Sequence, residues 1–144
     1  MKPYLLDTNL LIALAWRNHV HHSDVTEWFR GKAADRFRTC PITQTGFIRI
    51  SCNPTFSRLA VLPGEAVALL ERITALPGHD FWPDDLSAPQ AFAAYAVLGS
   101  HRQITDGYLL SLAVAHDGVL ATLDRGIAAL ARGCPERLEL VSGN

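Results

Sequence analysis

Short apolar runs alternate along this chain with longer segments in which apolar residues recur every three to four positions. The short runs predict buried strands, and the periodic segments predict amphipathic helices. The clearest helix begins at Pro63, a residue that suits the first helical turn. The predicted strands are residues 4–6, 39–42, 119–122 and 138–141. The predicted helices are residues 9–16, 43–51, 63–76, 87–99, 105–117 and 127–131, with a further helix that begins at Asp24.

Polar residues in front of these segments predict where the helices begin, because their side chains can accept hydrogen bonds from the free backbone N–H groups of a first turn. The second strand is expected to be short, since Pro41 has no N–H to donate to a neighbouring strand. The expected helix caps are Thr8 or Asn9, Asp24 with Glu27 in a capping box, Thr43, Ser87 with Gln90 in a second capping box, and Thr105.

The alternation of strands and helices predicts an α/β fold with a mainly parallel central sheet flanked by helices. No internal repeat, low-complexity stretch or long linker interrupts the sequence, and we therefore expect residues 1–144 to form a single domain. In parallel sheets, ligands bind beyond the carboxyl ends of the strands. That edge is where candidate functional residues should be sought.

The composition excludes several classes of protein. With 49% hydrophobic and 19% charged residues in 144, the chain can bury a core and is not a disordered acidic segment. No apolar run approaches the about 20 residues of a spanning helix, and the apolar start is too short for a signal peptide. The three cysteines are widely spaced, which argues against a disulfide framework and for reduced thiols in the cytoplasm.

The formal net charge is −1, from 13 Lys and Arg against 14 Asp and Glu. Proteins that bind long nucleic acid through bulk electrostatic attraction carry a large positive excess. This chain does not, so any contact with nucleic acid is expected to be local.

Three acids that are distant in sequence are expected to meet at one edge of the sheet. Asp7 follows the first strand, Asp124 follows the strand over residues 119–122, and Asp106 opens the helix that leads into that strand. Converging carboxylates repel one another, and a hard divalent cation relieves the repulsion. Such a cation suits metal-assisted phosphoryl transfer. The alternative interpretation is that each Asp is an ordinary cap or turn residue.

Three motifs, in this order, resemble those of the PIN-domain ribonucleases, and most of all the VapC-type toxins of bacterial toxin–antitoxin pairs. They are Leu-Asp-Thr-Asn-Leu-Leu at residues 6–11, Thr-Asp-Gly-Tyr-Leu-Leu at 105–110 and Ala-Thr-Leu-Asp-Arg-Gly at 121–126. The resemblance implies a PIN-like three-layer fold and a Mg²⁺- or Mn²⁺-dependent endoribonuclease. It also implies an RNA substrate, a cognate antitoxin and a homodimer without membrane association.

The resemblance also assigns roles to individual residues. By this analogy Asp7 and Asp106 are metal ligands and catalytic residues. Asp124 is a third such acid, which binds the metal directly or through water, and Asn9 and Thr122 are polar supports around the acids.

One position departs from the family pattern. PIN domains usually carry a further Glu in the first turn of the helix after the second strand, and here that Glu falls on Gly46 or, in another alignment, on Gln44. Gln44 can orient a water or a carboxylate but adds no charge. A single metal ion is then favoured over two. A non-catalytic or weakly active PIN-like module that binds RNA or antitoxin remains the alternative function.

Several basic residues are candidate RNA contacts. Arg49 can pair with a phosphate, and His101 and Arg102 precede Asp106 directly. The basic stretch over residues 30–38 is a candidate backbone track or a solvated turn. A haloacid-dehalogenase-type phosphatase with Asp7 as nucleophile is disfavoured, because that class carries a second acid where Asn9 stands.

Overall fold

A five-stranded parallel sheet forms the centre of the molecule in the computed structural model, which describes residues 1–56, 60–93 and 99–141. Every neighbouring pair of strands is parallel, in the order β3-β2-β1-β4-β5. The strands are β1 Tyr4–Leu6, β2 Phe37–Thr39, β3 His79–Phe81, β4 Val119–Thr122 and β5 Leu138–Leu140.

Helices connect the strands. The α-helices are α1 Thr8–Ala15, α2 His22–Trp28, α3 Pro41–Ser51, α4 Pro63–Thr74, α5 Ala88–Phe92 and α6 Ile104–Ala115. A π-helical turn, Phe29–Ala33, continues α2, and 3₁₀ turns span His101–Gln103, Arg125–Ala129 and Pro135–Arg137. None of the described helices is long and apolar enough to cross a bilayer.

Both faces of the sheet are covered, and this confirms the three-layer α/β prediction. Successive side chains of a strand point to opposite faces. Leu6 accordingly packs with Leu10 and Phe47 of α1 and α3, whereas Leu5 packs with Leu109 and Leu110 of α6. A central parallel strand buried on both sides appears in sequence as a continuous apolar run, and Tyr4–Leu6 is such a run.

The second strand and the helix after it begin earlier than predicted. The strand ends at Thr39, and Pro41 is the first residue of α3 instead of a strand residue, because its missing N–H costs nothing in a first turn. The expected cap at Thr43 is therefore wrong. Cys40 is the cap residue, and the backbone N–H of Cys40 donates a hydrogen bond to the Thr43 hydroxyl at 3.0 Å.

Three other predicted caps are wrong, and one is confirmed. The cap of α1 is Asp7 instead of Thr8 or Asn9; α2 begins after His21 rather than at Asp24, and α6 after Gln103 rather than at Thr105. Ser87 and Gln90 form the predicted capping box of α5, but the expected end of that helix at residue 99 depends on residues 94–98, which lie outside the described part of the chain.

Candidate functional site

The ends of β1 and β4 bring the first and last candidate acids to one edge of the sheet. Leu6 is in register with Ala121, and the Asp7 backbone N–H donates to the Ala121 carbonyl at 2.9 Å. Asp124 follows β4 after one intervening residue. Residues 114 or more positions apart therefore become neighbours because β1 and β4 are adjacent parallel strands.

Asp7 is a buried carboxylate at the start of α1, with a side chain held at both oxygens. Its residue is only 6% exposed. Oδ1 accepts from the Thr8 backbone N–H and Oδ2 from the Thr122 hydroxyl, each at 2.7 Å. Burial raises the pKa of Asp7, these two hydrogen bonds lower it, and the charge of Asp124 raises it further; the net direction is upward. The ionised form is thus costly unless something positive lies nearby.

The Thr122 hydroxyl joins three of the predicted site residues. It donates its one proton to Asp7 and accepts from the Asp124 backbone N–H at 3.0 Å and from Asn9 Nδ2 at 3.4 Å. Asn9 Oδ1 in turn accepts from the Leu123 backbone N–H at 3.3 Å. The hydroxyl oxygen is fully buried, so this network sets the orientation of the Asp7 carboxylate.

Replacing Thr122 with Val is expected to lower the free energy of unfolding by about 1–3 kcal/mol at pH 8, since a buried carboxylate loses a donor while the side-chain shape is kept. The hydrogen bond from Thr122 lowers the pKa of Asp7 because it stabilises the ionised carboxylate. Its loss is therefore expected to reduce the free energy of unfolding most at a pH where Asp7 is ionised, and least in acid. Urea unfolding at pH 8 and pH 4 measures the difference. Thr122→Ser retains the hydroxyl and is the control; equal losses in the two variants would contradict the role of the hydrogen bond.

Asp106 lies in the first turn of α6 and interacts with the other two acids. Desolvation raises the pKa of this half-buried carboxyl to about 6, and the charges of Asp7 and then Asp124 add to the rise. Asp124 thus acts on the ionisation of Asp7, and both act on that of Asp106. These electrostatic effects indicate that the three acids lie near one another at this edge of the sheet.

The donor set is suited to a hard cation bound in part by water. Carboxylate and hydroxyl oxygens are the ligands that Mg²⁺ and Mn²⁺ prefer, and mutual repulsion of the acids favours a positive charge between them. Within residues 1–56, 60–93 and 99–141, however, no three His, Cys, Asp or Glu side chains form a ready-made metal-binding group. The arrangement therefore fits an ion held by one or two carboxylates, with water or substrate oxygens as the other ligands.

The two positions to which the family pattern assigns a further acid, Gln44 and Gly46, carry no charge. Gln44 donates from Nε2 to the Thr39 hydroxyl at 3.0 Å, and that hydroxyl lies 2.7 Å from His79 Nε2. At Gly46 a Cβ would come within 2.7 Å of the Thr8 hydroxyl oxygen. A glutamate at position 46 would thus collide with the residue next to Asp7, since α3 crosses the start of α1 there.

Sequence reasoning missed the Thr39–His79 pair because it missed β3. His79 is in register with Phe37, two pairs before Thr39 and Phe81. Burial lowers the pKa of His79, so its ring is neutral and can share a proton with Thr39. Thr39, a polar residue at one end of a predicted buried strand, was the sequence feature that could have indicated this pair, since a buried hydroxyl needs a hydrogen-bond partner.

The basic candidates divide between the two edges of the sheet. His101 and Arg102 are exposed in the 3₁₀ turn before α6, close in sequence to Asp106, and Arg49 is exposed in the last turn of α3. Of the basic stretch over residues 30–38, residues 30–36 precede β2 and so lie at the amino ends of the strands, opposite the carboxylates, whereas Arg38 lies within β2. Lys32 there pairs with Glu139 at 2.9 Å. This stretch does not border the carboxylates, and the turn interpretation is the better one.

Comparison with known proteins agrees with this architecture. The sequence model of the PIN domain matches residues 4–133. Ribonuclease VapC39 of Mycobacterium tuberculosis is 41% identical over 125 residues, covering 86% of this chain and 90% of that protein. Ribonuclease VapC38 of the same organism is 39% identical over 132 residues, covering 92% of each. Ribonuclease VapC29 is 42% identical over 128 residues, covering 88% of this chain and 89% of that one.

A solved structure shares the fold. A chain of the structure described as FitAB bound to an IR36 DNA fragment superposes with a TM-score of 0.60 over 89% of this chain and 90% of that one. Its sequence identity is 22%, so the likeness concerns the fold alone.

Proposed function

Because this chain belongs to the PIN-domain family, as a relative of the VapC ribonucleases, we propose that it is an endoribonuclease and the toxin of a type II toxin–antitoxin pair. The observation that carries the proposal is the meeting of Asp7, Asp106 and Asp124 at the carboxyl ends of the strands. A phosphatase that uses Asp7 as nucleophile is not supported, since the family match is to PIN domains.

We propose that Asp7, Asp106 and Asp124 are the catalytic, metal-binding residues and that they hold Mg²⁺ or Mn²⁺. Such an ion, when bound, lowers the pKa of water and stabilises an in-line phosphoryl transition state. Asp7 and Asp106 are the direct ligands in this proposal, and Asp124 binds directly or through water. The electrostatic effect of Asp7 and Asp124 on Asp106 supports it, since neighbouring carboxylates that repel one another favour a cation between them.

The chain's own polar groups prepare this site. The Thr122 hydroxyl holds one oxygen of Asp7, and Asn9 holds Thr122 and the backbone after β4, so the carboxylate is oriented before any substrate arrives. His101 and Arg102, on the turn before Asp106, are proposed to contact the RNA backbone, as is Arg49. Gln44 is proposed to support the site only indirectly, through Thr39.

The absence of charge at Gln44 and Gly46 favours one metal ion over two and keeps a second candidate function open. In that alternative the protein binds RNA or its antitoxin through the PIN fold and cleaves weakly or not at all. Cleavage and cation binding distinguish the two, because a binding module requires no cation-dependent hydrolysis.

The remaining expectations belong to the same proposal. Relatives named VapC ribonucleases support a cognate antitoxin and an RNA substrate for this chain. A homodimer and a cytoplasmic location are proposed with them. Sedimentation of the purified protein would establish its oligomeric state.

The decisive experiment is RNA cleavage by the purified protein with added Mg²⁺ or Mn²⁺ and with a chelator. We expect cleavage only with the cation, and an Asp7→Asn variant is expected to lose about 100-fold or more, because a group that holds the cation contributes several kcal/mol to the transition state. Asp35→Asn, an exposed acid at the opposite edge of the sheet, should cleave normally. Cation binding is measured by calorimetry on the same proteins.

Two results would overturn the proposal. If Asp7→Asn cleaves as well as wild type, the cluster is not the site. If no protein cleaves with any cation, yet wild type binds RNA, the binding-module alternative is correct.

A further inference from the structure

A cleft of about 330 Å³ lies between α1, the last turn of α3 and the loop that follows α3, and Asn9 is one of its lining residues. Its volume is at the small end of the about 300–1,000 Å³ of small-molecule sites. We propose that this cleft receives one unpaired nucleobase of the RNA strand and so contributes to the choice of cleavage site. This inference rests on the proposed ribonuclease function and adds a base-binding subsite to it.

The cleft is continuous with the proposed catalytic groups through Asn9. Asn9 lines the cleft and also donates from Nδ2 to the Thr122 hydroxyl, which holds Asp7. One residue therefore separates a bound base from the carboxylate that is proposed to act on the phosphate. A nucleotide whose phosphate lies at the acids would place its base in this cleft by extending past Asn9, which lines the cleft.

The apolar walls suit the face of a base. Ile12 and Ile50 line the cleft, and so does Phe56, whose residue is 43% exposed and therefore open to contact by a ligand. Sequence-specific RNA recognition commonly stacks an unpaired base on an aromatic ring and reads its edge by hydrogen bonds. Phe56 is the ring available for stacking.

Polar groups in the same cleft can read the edge of the base. The Nδ1 atom of His19 accepts from the His21 backbone N–H at 3.0 Å, so a neutral ring carries its proton on Nε2. Burial, with the neighbouring His21 and His22 rings, lowers the pKa of His19 and keeps it neutral. The side-chain oxygen Oδ1 of Asn53 accepts a hydrogen bond from the Thr55 backbone N–H at 2.9 Å. The side-chain NH₂ group of Asn53 is a donor. His19 and Asn53 thus offer donors to base oxygens or ring nitrogens.

The size and polarity of the cleft favour a base over an apolar peptide side chain of a partner protein. An apolar side chain would leave the donors of His19 and Asn53 facing it without acceptors, which costs free energy when they are buried. A nucleobase supplies both a flat apolar face and acceptors at its edge. Apolar occupancy by a partner protein is nevertheless a distinct outcome of the test below.

The first test is independent of cleavage. Wild-type protein is titrated with the four nucleoside 5′-monophosphates and, separately, with ribose 5-phosphate while the NMR signals of residues lining the cleft are followed. We expect the nucleotides to shift the signals of His19 and Phe56, and ribose 5-phosphate, which lacks a base, to leave them unchanged. Equal shifts with ribose 5-phosphate, or no shift with any nucleotide, would contradict the proposal.

The second test compares two exposed phenylalanines. Phe56→Ala is expected to raise KM for RNA about tenfold with kcat retained, and to change which nucleotides flank the cut, because a stacked base is lost. Phe81→Ala removes a ring of similar exposure, 46%, from β3 and should behave as wild type.

Identical cleavage by both variants would overturn the inference while leaving the ribonuclease proposal intact. If Phe56→Ala cleaves normally but loses antitoxin affinity, the cleft is a protein-docking site instead. If wild type does not cleave, the ribonuclease proposal fails, and the nucleotide titration alone decides whether the cleft binds a base.

Discussion

An Asp106→Asn variant is expected to lose RNA cleavage by about 100-fold or more and, at the same time, to gain stability in its metal-free form above pH 6. The loss of activity follows from the proposed role of this carboxylate as a cation ligand. The gain follows from its surroundings, since desolvation and the charges of Asp7 and Asp124 raise the pKa of Asp106 from 3.8 to about 6. Neighbouring carboxylates repel one another when no cation lies between them, and replacing one with an uncharged amide removes part of that repulsion.

The direction of the pH dependence follows from proton binding. Between about pH 4 and pH 6 the folded protein keeps the Asp106 proton, whereas the unfolded chain releases it. The folded state therefore binds more protons, and stability falls as pH rises through this window and is constant above it. The shift corresponds to at most about 3 kcal/mol. Partial access of solvent to this half-buried group reduces the expected gain in Asp106→Asn to about 1 kcal/mol.

Thermal unfolding in a chelator at pH 8 and at pH 4 measures this gain. The variant should have a higher Tm than wild type at pH 8 and a Tm close to that of wild type at pH 4, where Asp106 of the folded protein is protonated and so uncharged, like Asn. Asp35→Asn is the matched control and should show neither effect, since Asp35 is an exposed acid away from the cluster. A variant that is less stable than wild type at pH 8 would show that Asp106 makes a favourable interaction in the folded state that the structure does not assign to it.

Gly78→Ala is expected to destabilise the protein by about 4 kcal/mol or more, among the largest effects of a single substitution. A Cβ at this position would lie 1.9 Å from the Ala34 carbonyl oxygen and 2.7 Å from the Asp35 Cα, both backbone atoms that no side-chain rotation can move. The Gly78 carbonyl also accepts from the Phe37 backbone N–H at 3.0 Å, so a shift of this residue disturbs the pairing of β2 with β3.

Urea unfolding of Gly78→Ala is compared with Gly64→Ala and Gly31→Ala, two helical glycines where a Cβ would meet nothing within 4 Å. Those two are expected to leave stability unchanged or to raise it by up to about 1 kcal/mol, because Ala favours a helix over Gly. If Gly78→Ala unfolds at the same urea concentration as the two controls, the backbone at residues 34 and 35 yields easily and the close approach is not rigid.

The central strands could be predicted from the sequence, whereas the edge strand could not. Tyr4–Leu6 and Val119–Thr122 are apolar runs because helices cover both of their faces. His79–Phe81 contains one apolar residue, and that residue is 46% exposed, so the segment carries neither an alternating nor a continuous apolar pattern. Its strand conformation comes from pairing with β2, a contact between residues about 40 positions apart.

Helix starts show the same division between local and distant causes. Ser87 and Gln90 bond to each other's backbone within one turn, and local sequence was enough to predict them. The start of α1 is different. Asp7 caps it because β1 ends at Leu6 and the chain must turn at the sheet edge, so Thr8 and Asn9 are already inside the helix.

The sequence by itself determined which acids could act and in what order they occur, because Asp7, Asp106 and Asp124 stand beside apolar segments whose periods predict parallel strands and a helix. Only the tertiary structure decided how these acids are held. The Thr122 hydroxyl reaches Asp7 across 115 positions. At Gly46, one of the two positions to which the family pattern assigns a further acid, α3 lies so close to α1 that a Cβ would come within 2.7 Å of the Thr8 hydroxyl oxygen. Those relations are distances between strands and helices that are remote in sequence. They depend on strand order and helix crossing, which no local pattern of residues specifies.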